Sequence, residues 1–266
     1  ESGNTSLFAV LGLWTAFWCY REEKWALFLA LLLLSASMKL TPLFFLVLLL
    51  PVWRLVSWPR LVLTALPFAG AVGVSMLLDP AGWRGFLECL GRVPGVPTET
   101  VADMPITFVS SLGAIQGTLS VLQAEAGIAL PDMATKAVYV CFALIVAILA
   151  GWIATRRPDP SSAEWRERLA VLASVCYLLL LPRANLYDYV LVLLPAYYAA
   201  TRIRAVDGRL ALVLVLLVSP LPIRPFGFDL LIKTVAAYYP LVLTVGTLLI
   251  LLAASNAEKK AQEEQP

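Results

Sequence analysis

The sequence predicts an all-α fold: a polytopic integral membrane helical bundle of about nine transmembrane helices, with short amphipathic helices on the outer face. Three observations predict it. Of the 266 residues, 60% are apolar and 14% charged, whereas a soluble domain carries about 45–50% and about 25%; the mean hydropathy is +0.82. The apolar residues gather into long runs. The ionisable residues are expelled from the cores of those runs into the connections, as the cost of burying charge in hydrocarbon requires.

The first runs are 6–20 and 25–38, parted by the polar turn Arg21-Glu22-Glu23-Lys24. Run 43–57 follows Lys39 and Thr41-Pro42, and run 61–78 follows Arg54, Pro59 and Arg60. Hydrocarbon offers the backbone no partner, so each run must close its own hydrogen bonds as a helix. A crossing takes about 20 residues, so the shorter runs draw in flanking residues, tilt or break. The connection 79–133 is long, and loops beyond about 12–15 residues usually carry function or are disordered. It holds Asp79-Pro80, Pro94, Pro97, Pro105 and Pro131, with apolar patches at Trp83, Phe86 and Leu87 and at Leu112, Ile115, Leu119 and Leu122. That spacing predicts amphipathic helices on the membrane surface, with a re-entrant element as the alternative over 110–128. Runs 134–154, 169–181, 187–201, 210–222 and 235–254 complete a transmembrane domain over 1–254. The segment 255–266 is a charged tail, disordered or a frayed helix.

The connections set the orientation. With alternating crossings and an outside start, the inside segments hold Arg21, Lys24, Arg54, Arg60, Arg156, Arg157, Arg166, Arg168, Arg202, Arg204, Arg209, Lys259 and Lys260, the larger part of the 20 Lys and Arg residues. The outside keeps Lys39, Arg84, Arg92, Lys136, Arg183, Arg224 and Lys233. Positive charge favours the cytoplasmic side, so the C-terminus is cytoplasmic. The chain begins at Glu1 rather than Met and shows no basic n-region, which reads as a fragment or a processed piece.

Composition also excludes chemistries. There is no histidine, which removes Ser-His-Asp and Cys-His catalysis and histidine-ligated metals. Cys19, Cys89, Cys141 and Cys176 are widely spaced, so no metal site and no cofactor is expected. A net charge of +2 offers no basic reservoir for nucleic acid. The lipid membrane is the expected partner.

Polar candidates gather on the outer side. Lys39 lies between two apolar runs, as an interface lysine or as a contact to a phosphate at the membrane surface. Leu181-Pro182-Arg183-Ala184-Asn185-Leu186-Tyr187-Asp188-Tyr189 concentrates polar groups between two runs. Arg183 suits a bidentate phosphate clamp, and Asp188 a hydrogen bond to sugar or to Arg183; the other reading is an aromatic belt with a loop ion pair. In the long connection, Asp103 or Glu88 suits a general base on a hydroxyl acceptor, or is a solvated charge. Gln116 and Ser110-Ser111 are further polar candidates. There is no phosphate-loop or dinucleotide fingerprint.

Lys39-Leu40-Thr41-Pro42 resembles the K-x-T/Q-P segment of glycosyltransferase family 87, bacterial membrane enzymes of the GT-C class that use polyprenyl-phosphate sugars and include mannosyltransferases. Asn4 resembles the end of that family's G-Q-x-N start, and Asp79 through Leu90, with Trp83, its outer loop. Ser111-Leu112-Gly113 resembles its N-Q-S-L segment, and Pro182-Arg183 through Tyr187-Asp188-Tyr189 and Pro195 its Pro-x…Tyr-Asp loop. Two departures stand out: Ser2 and Ser110 replace family glutamines. The resemblance implies further N-terminal helices and an acidic catalytic base before Glu1, and so an inactive isolated fragment. It implies transfer of a hexose, mannose foremost, from a polyprenyl-phosphate-linked sugar to a glycan or glycolipid acceptor, at the outer face of a bacterial inner membrane. Lys39 and Arg183 then neutralise the donor phosphate, with Asn4, Thr41, Ser111, Gln116, Tyr187 and Asp188 contacting substrate.

Two other classes compete: a lipid or solute transporter, and a non-catalytic membrane subunit. Transporters bind substrate at mid-membrane with intramembrane charge. Here the polar residues gather on one face, which fits surface chemistry better.

Overall fold

The structure is a computed structural model, and it describes residues 2–91, 110–126, 133–155, 162–181, 191–202 and 239–263. Among the described residues every regular element is helical. The chain divides into two compact units, 1–104 and 105–266.

The first unit opens with α1 (Ser2–Arg21) and α2 (Trp25–Met38). A tight reversal joins them. Lys24 N–H donates to the Cys19 carbonyl at 2.8 Å and Glu23 N–H to the Tyr20 carbonyl at 3.3 Å, with Glu23 at φ 59°. This is a Schellman closure, which satisfies carbonyls that the helix end leaves without partners. The two helices therefore run antiparallel. They bury Leu13, Ala16, Phe17 and Tyr20 from α1 and Phe28, Leu29, Leu32 and Ala36 from α2.

After α2 the chain breaks at extended Lys39 and continues as a 3-10 helix, Thr41–Leu49. Phe45 meets Phe17 edge-on with ring centroids 4.9 Å apart, and the Tyr20 hydroxyl donates to the Leu48 carbonyl at 3.0 Å. The contacts advance together along both segments, so the 3-10 helix runs parallel to α1. The expected run 43–57 falls on this 3-10 helix and the turns that follow it through Leu55, rather than on an α-helix.

Helix α3 (Trp58–Leu78) carries Pro67 in its interior, and Leu61 is its buried residue within this unit. Helix α4 (Pro80–Gly91) follows after Asp79, whose carboxylate accepts the Gly82 N–H at 2.8 Å and caps the helix.

The second unit holds α5 (Ser111–Ala126), α6 (Met133–Thr155), α7 (Ala163–Leu180), α8 (Leu193–Arg202) and α9 (Tyr239–Glu263). Helix α7 is its axis. It is buried from Trp165 to Leu179 apart from half-buried Glu167 and packs on α6, α8 and α9. Val171, Leu172, Val175 and Leu179 share a core with Val146, Ile153, Tyr198, Leu248 and Leu251. The Ser162 hydroxyl caps α7 by accepting Trp165 N–H at 3.1 Å. The Trp165 indole donates to the Ala154 carbonyl at 3.3 Å, so α6 and α7 are antiparallel neighbours. Arg168, 6% exposed, donates to the Ser255 hydroxyl of α9 at 3.1 Å.

Two described helices are long and apolar enough to cross a membrane, α3 and α6; α2 and residues 241–256 are apolar but shorter. The expected runs 6–20, 169–181, 187–201 and 235–254 fall wholly or in part on α1, α7, α8 and α9, while 210–222 lies outside the described residues. The long connection, where helices were expected, holds α4 and α5. Residues 255–263 of the tail continue α9 as regular helix.

Candidate functional site

In the first unit the candidates gather at one end of the α1–α2 hairpin. Gly12 of α1 faces Ser35 of α2. From that contact Asn4 lies eight residues and Lys39 four residues toward the same end. At about 1.5 Å per residue they stand about 12 Å and 6 Å beyond it, so their backbones differ by about 6 Å along the axis. Lys39 and Thr41 are half-buried.

Lys39 caps the C-terminal end of α2, at φ −157° and ψ 124°. Its N–H donates to the Ser35 carbonyl at 3.1 Å. A cation at this position faces the negative end of the helix dipole. The neighbouring hydroxyls serve their own helix: Ser35 Oγ donates to the Leu31 carbonyl at 2.8 Å and Ser37 Oγ to the Leu34 carbonyl at 2.7 Å. Lys39 and Thr41 are thus the polar side chains at this break, and a compact ammonium there suits a phosphate.

Helix α4 carries charges of the long connection on its own surface. Arg84 and Glu88 are exposed. The Trp83 indole donates to Ser75 Oγ at 2.9 Å, tying α4 back to α3, and Trp83 meets Phe86 edge-on at 5.5 Å. Glu88 therefore rides, exposed, on a helix fixed at its base.

In the second unit, Ser110 and Ser111 are both buried. Ser110 Oγ accepts the Gly113 N–H at 3.1 Å and caps α5. Ser111 Oγ donates to the Leu179 carbonyl at 2.6 Å, and the Tyr139 hydroxyl donates to the Leu180 carbonyl at 2.6 Å. Both acceptors belong to the last turn of α7, whose carbonyls lack helical partners. Gln116 is half-buried farther along α5.

The structure thus brings Lys39, Thr41 and the first turn of α1, which carries Asn4, to one end of the first unit. It places Glu88 on α4 and ties Ser111 to the end of α7. Asp103, Arg183, Tyr187 and Asp188 lie outside the described residues. Tyr139 escaped the sequence reading. Its only signal there is a phenol near the start of an apolar run, which reads as an interfacial aromatic. Among the described residues, no three His, Cys, Asp or Glu gather into a group that could hold a metal ion.

The family model for glycosyltransferase family 87 matches residues 1–182. The match takes in Asn4, Lys39, Thr41, Glu88, Asp103, Ser111 and Gln116, and it ends just before Arg183. No curated protein and no solved structure matches the chain.

Proposed function

The chain belongs to glycosyltransferase family 87, and from that premise we propose that this membrane glycosyltransferase moves a hexose, mannose foremost, from a polyprenyl-phosphate donor to a lipid or glycan acceptor. Transfer takes place at the outer face of a bacterial inner membrane, within a bundle of about nine crossings whose C-terminus is cytoplasmic. The observation that carries this reading is Lys39: a half-buried cation at the break between α2 and the 3-10 helix, on the same end of the hairpin as Asn4.

In the reaction the bond between the sugar's anomeric carbon and the phosphate oxygen breaks. Its electron pair leaves on the polyprenyl phosphate, and the acceptor oxygen bonds to the anomeric carbon. Negative charge grows on the leaving phosphate, so a cation beside it stabilises the transition state more than the ground state. Lys39 fills that role, with Arg183 as its partner. A carboxylate takes the acceptor's hydroxyl proton; Asp103 and Glu88, the latter exposed on α4, are this chain's candidates. Asn4, Thr41, Ser111, Gln116, Tyr187 and Asp188 are the proposed substrate contacts.

The test is sugar transfer by the full-length protein from polyprenyl-phosphate mannose in membrane vesicles. Lys39→Ala and Arg183→Ala should each abolish transfer while inserting normally. Unchanged transfer in both would remove the phosphate roles, and substrate flux into liposomes without transfer would favour a transporter.

A further inference from the structure

Gly12 of α1 lies directly against Ser35 of α2. A Cβ built there would collide with the Ser35 hydroxyl and would lie 3.7 Å from the Ser35 Cβ. By contrast Gly70, Gly73, Gly151 and Gly246, also in helices, have open space at that position. Glycine is a poor helix former, and α1 is regular here, so backbone freedom does not explain it. Ser35 is 2% exposed, and its hydroxyl is held by the Leu31 carbonyl at 2.8 Å. The Ser35 carbonyl in turn accepts the N–H of Lys39 at 3.1 Å. The interface at Gly12 is therefore one helical turn, and one hydrogen bond, from the backbone of Lys39.

We infer that Gly12 is a positioning residue for Lys39. Its missing side chain lets the last turn of α2 seat against α1, and that seating fixes where the ammonium stands beside the first turns of α1. A methyl at residue 12 pushes the last turn outward or turns Ser35 off Leu31, and either movement carries Lys39 with it. The inference rests on Lys39 as the phosphate contact.

The experiment measures binding of farnesyl phosphate to the full-length protein in detergent, beside its melting temperature. Gly12→Ala should raise Kd at least about fivefold, and adding Ser35→Ala should return it to within about twofold, because two methyls then meet at an ordinary contact distance. In a Lys39→Ala background, Gly12→Ala should add no further loss, a coupling that general loosening of the hairpin would not produce. Ser35→Thr crowds the same contact from the α2 side and gives an independent reading should Gly12→Ala not fold. Wild-type binding by Gly12→Ala, or an equal loss with and without Lys39, would overturn the positioning role. Wild-type binding by Lys39→Ala would instead remove the phosphate reading on which it rests.

Discussion

The Ser111 hydroxyl donates to the Leu179 carbonyl at 2.6 Å, linking the first residue of α5 to the last turn of α7 across the interior of the second unit. Leu179 lies in the last turn of α7, where carbonyls run out of donors within the helix, and it is buried away from solvent. Ser111→Ala should therefore destabilise the protein by about 1–3 kcal/mol, the cost of a buried acceptor left without its donor. Tyr139→Phe, which removes the bond to Leu180 and keeps the ring, should act alike. Thermal unfolding in detergent checks both, and wild-type melting of Ser111→Ala would deny the bond any weight.

Glu23 holds φ at 59°, in the left-handed region where side chains other than glycine are disfavoured. It occupies the position after α1 that Schellman closures usually give to glycine. Glu23 is exposed, so replacement costs little buried surface, and any surface ion pair it forms contributes little. Glu23→Gly should stabilise the hairpin by about 0.5–1 kcal/mol, the backbone strain outweighing glycine's larger entropy loss. A lower melting temperature would contradict this.

Helices were legible wherever hydrophobicity alone decides structure. Runs 6–20, 25–38, 61–78 and 134–154 correspond to α1, α2, α3 and α6. The run 43–57 looked the same by composition and is not an α-helix. Its course is set by the packing of Phe45 on Phe17 and by the Tyr20–Leu48 bond, contacts between segments that no local pattern contains. As a candidate, Lys39 was legible because a cation between apolar runs stands out. Gly12 and Tyr139 were not, because a glycine or a tyrosine in an apolar run carries no mark of its partner. The amphipathic spacing of Trp83, Phe86 and Leu87 did foreshadow α4, but not the indole bond to Ser75 that ties it down.

Arg168, only 6% exposed, donates to Ser255 at 3.1 Å, joining α7 to the C-terminal half of α9. A buried hydrogen bond to a charged group contributes about 1.5–3 kcal/mol. Ser255→Ala should lose a stability of that order, and Arg168→Leu a smaller or even negligible amount, since the desolvation penalty goes with the charge. Equal losses from both, measured by thermal melts, would show that the charge itself stabilises this junction.

The orientation has a direct readout. In vesicles of a chain otherwise free of cysteine, Glu22→Cys lies in the α1–α2 turn and should react with membrane-impermeant maleimide only from the cytoplasmic side. Gly85→Cys on α4 has open space around it and should react only from outside. The reverse pattern would invert the bundle and move Lys39 to the wrong face for an extracytoplasmic donor.

Lys39 finally separates binding from chemistry. If the ammonium only held the donor, Lys39→Ala would raise KM and leave kcat intact, as the loss of uniform binding does. Charge on the phosphate grows as the sugar leaves, so the proposed role requires kcat itself to fall, by about 10²–10³, the usual cost of deleting one preorganised charge stabiliser. Lys39→Arg should recover part of that loss, because the charge is kept, and not all of it, because a planar fork does not take the place of a compact ammonium at this half-buried residue. Initial rates over a range of donor concentrations distinguish the cases. An unchanged kcat in Lys39→Ala would leave Lys39 as an anchor for the lipid phosphate and shift the transition-state role to Arg183.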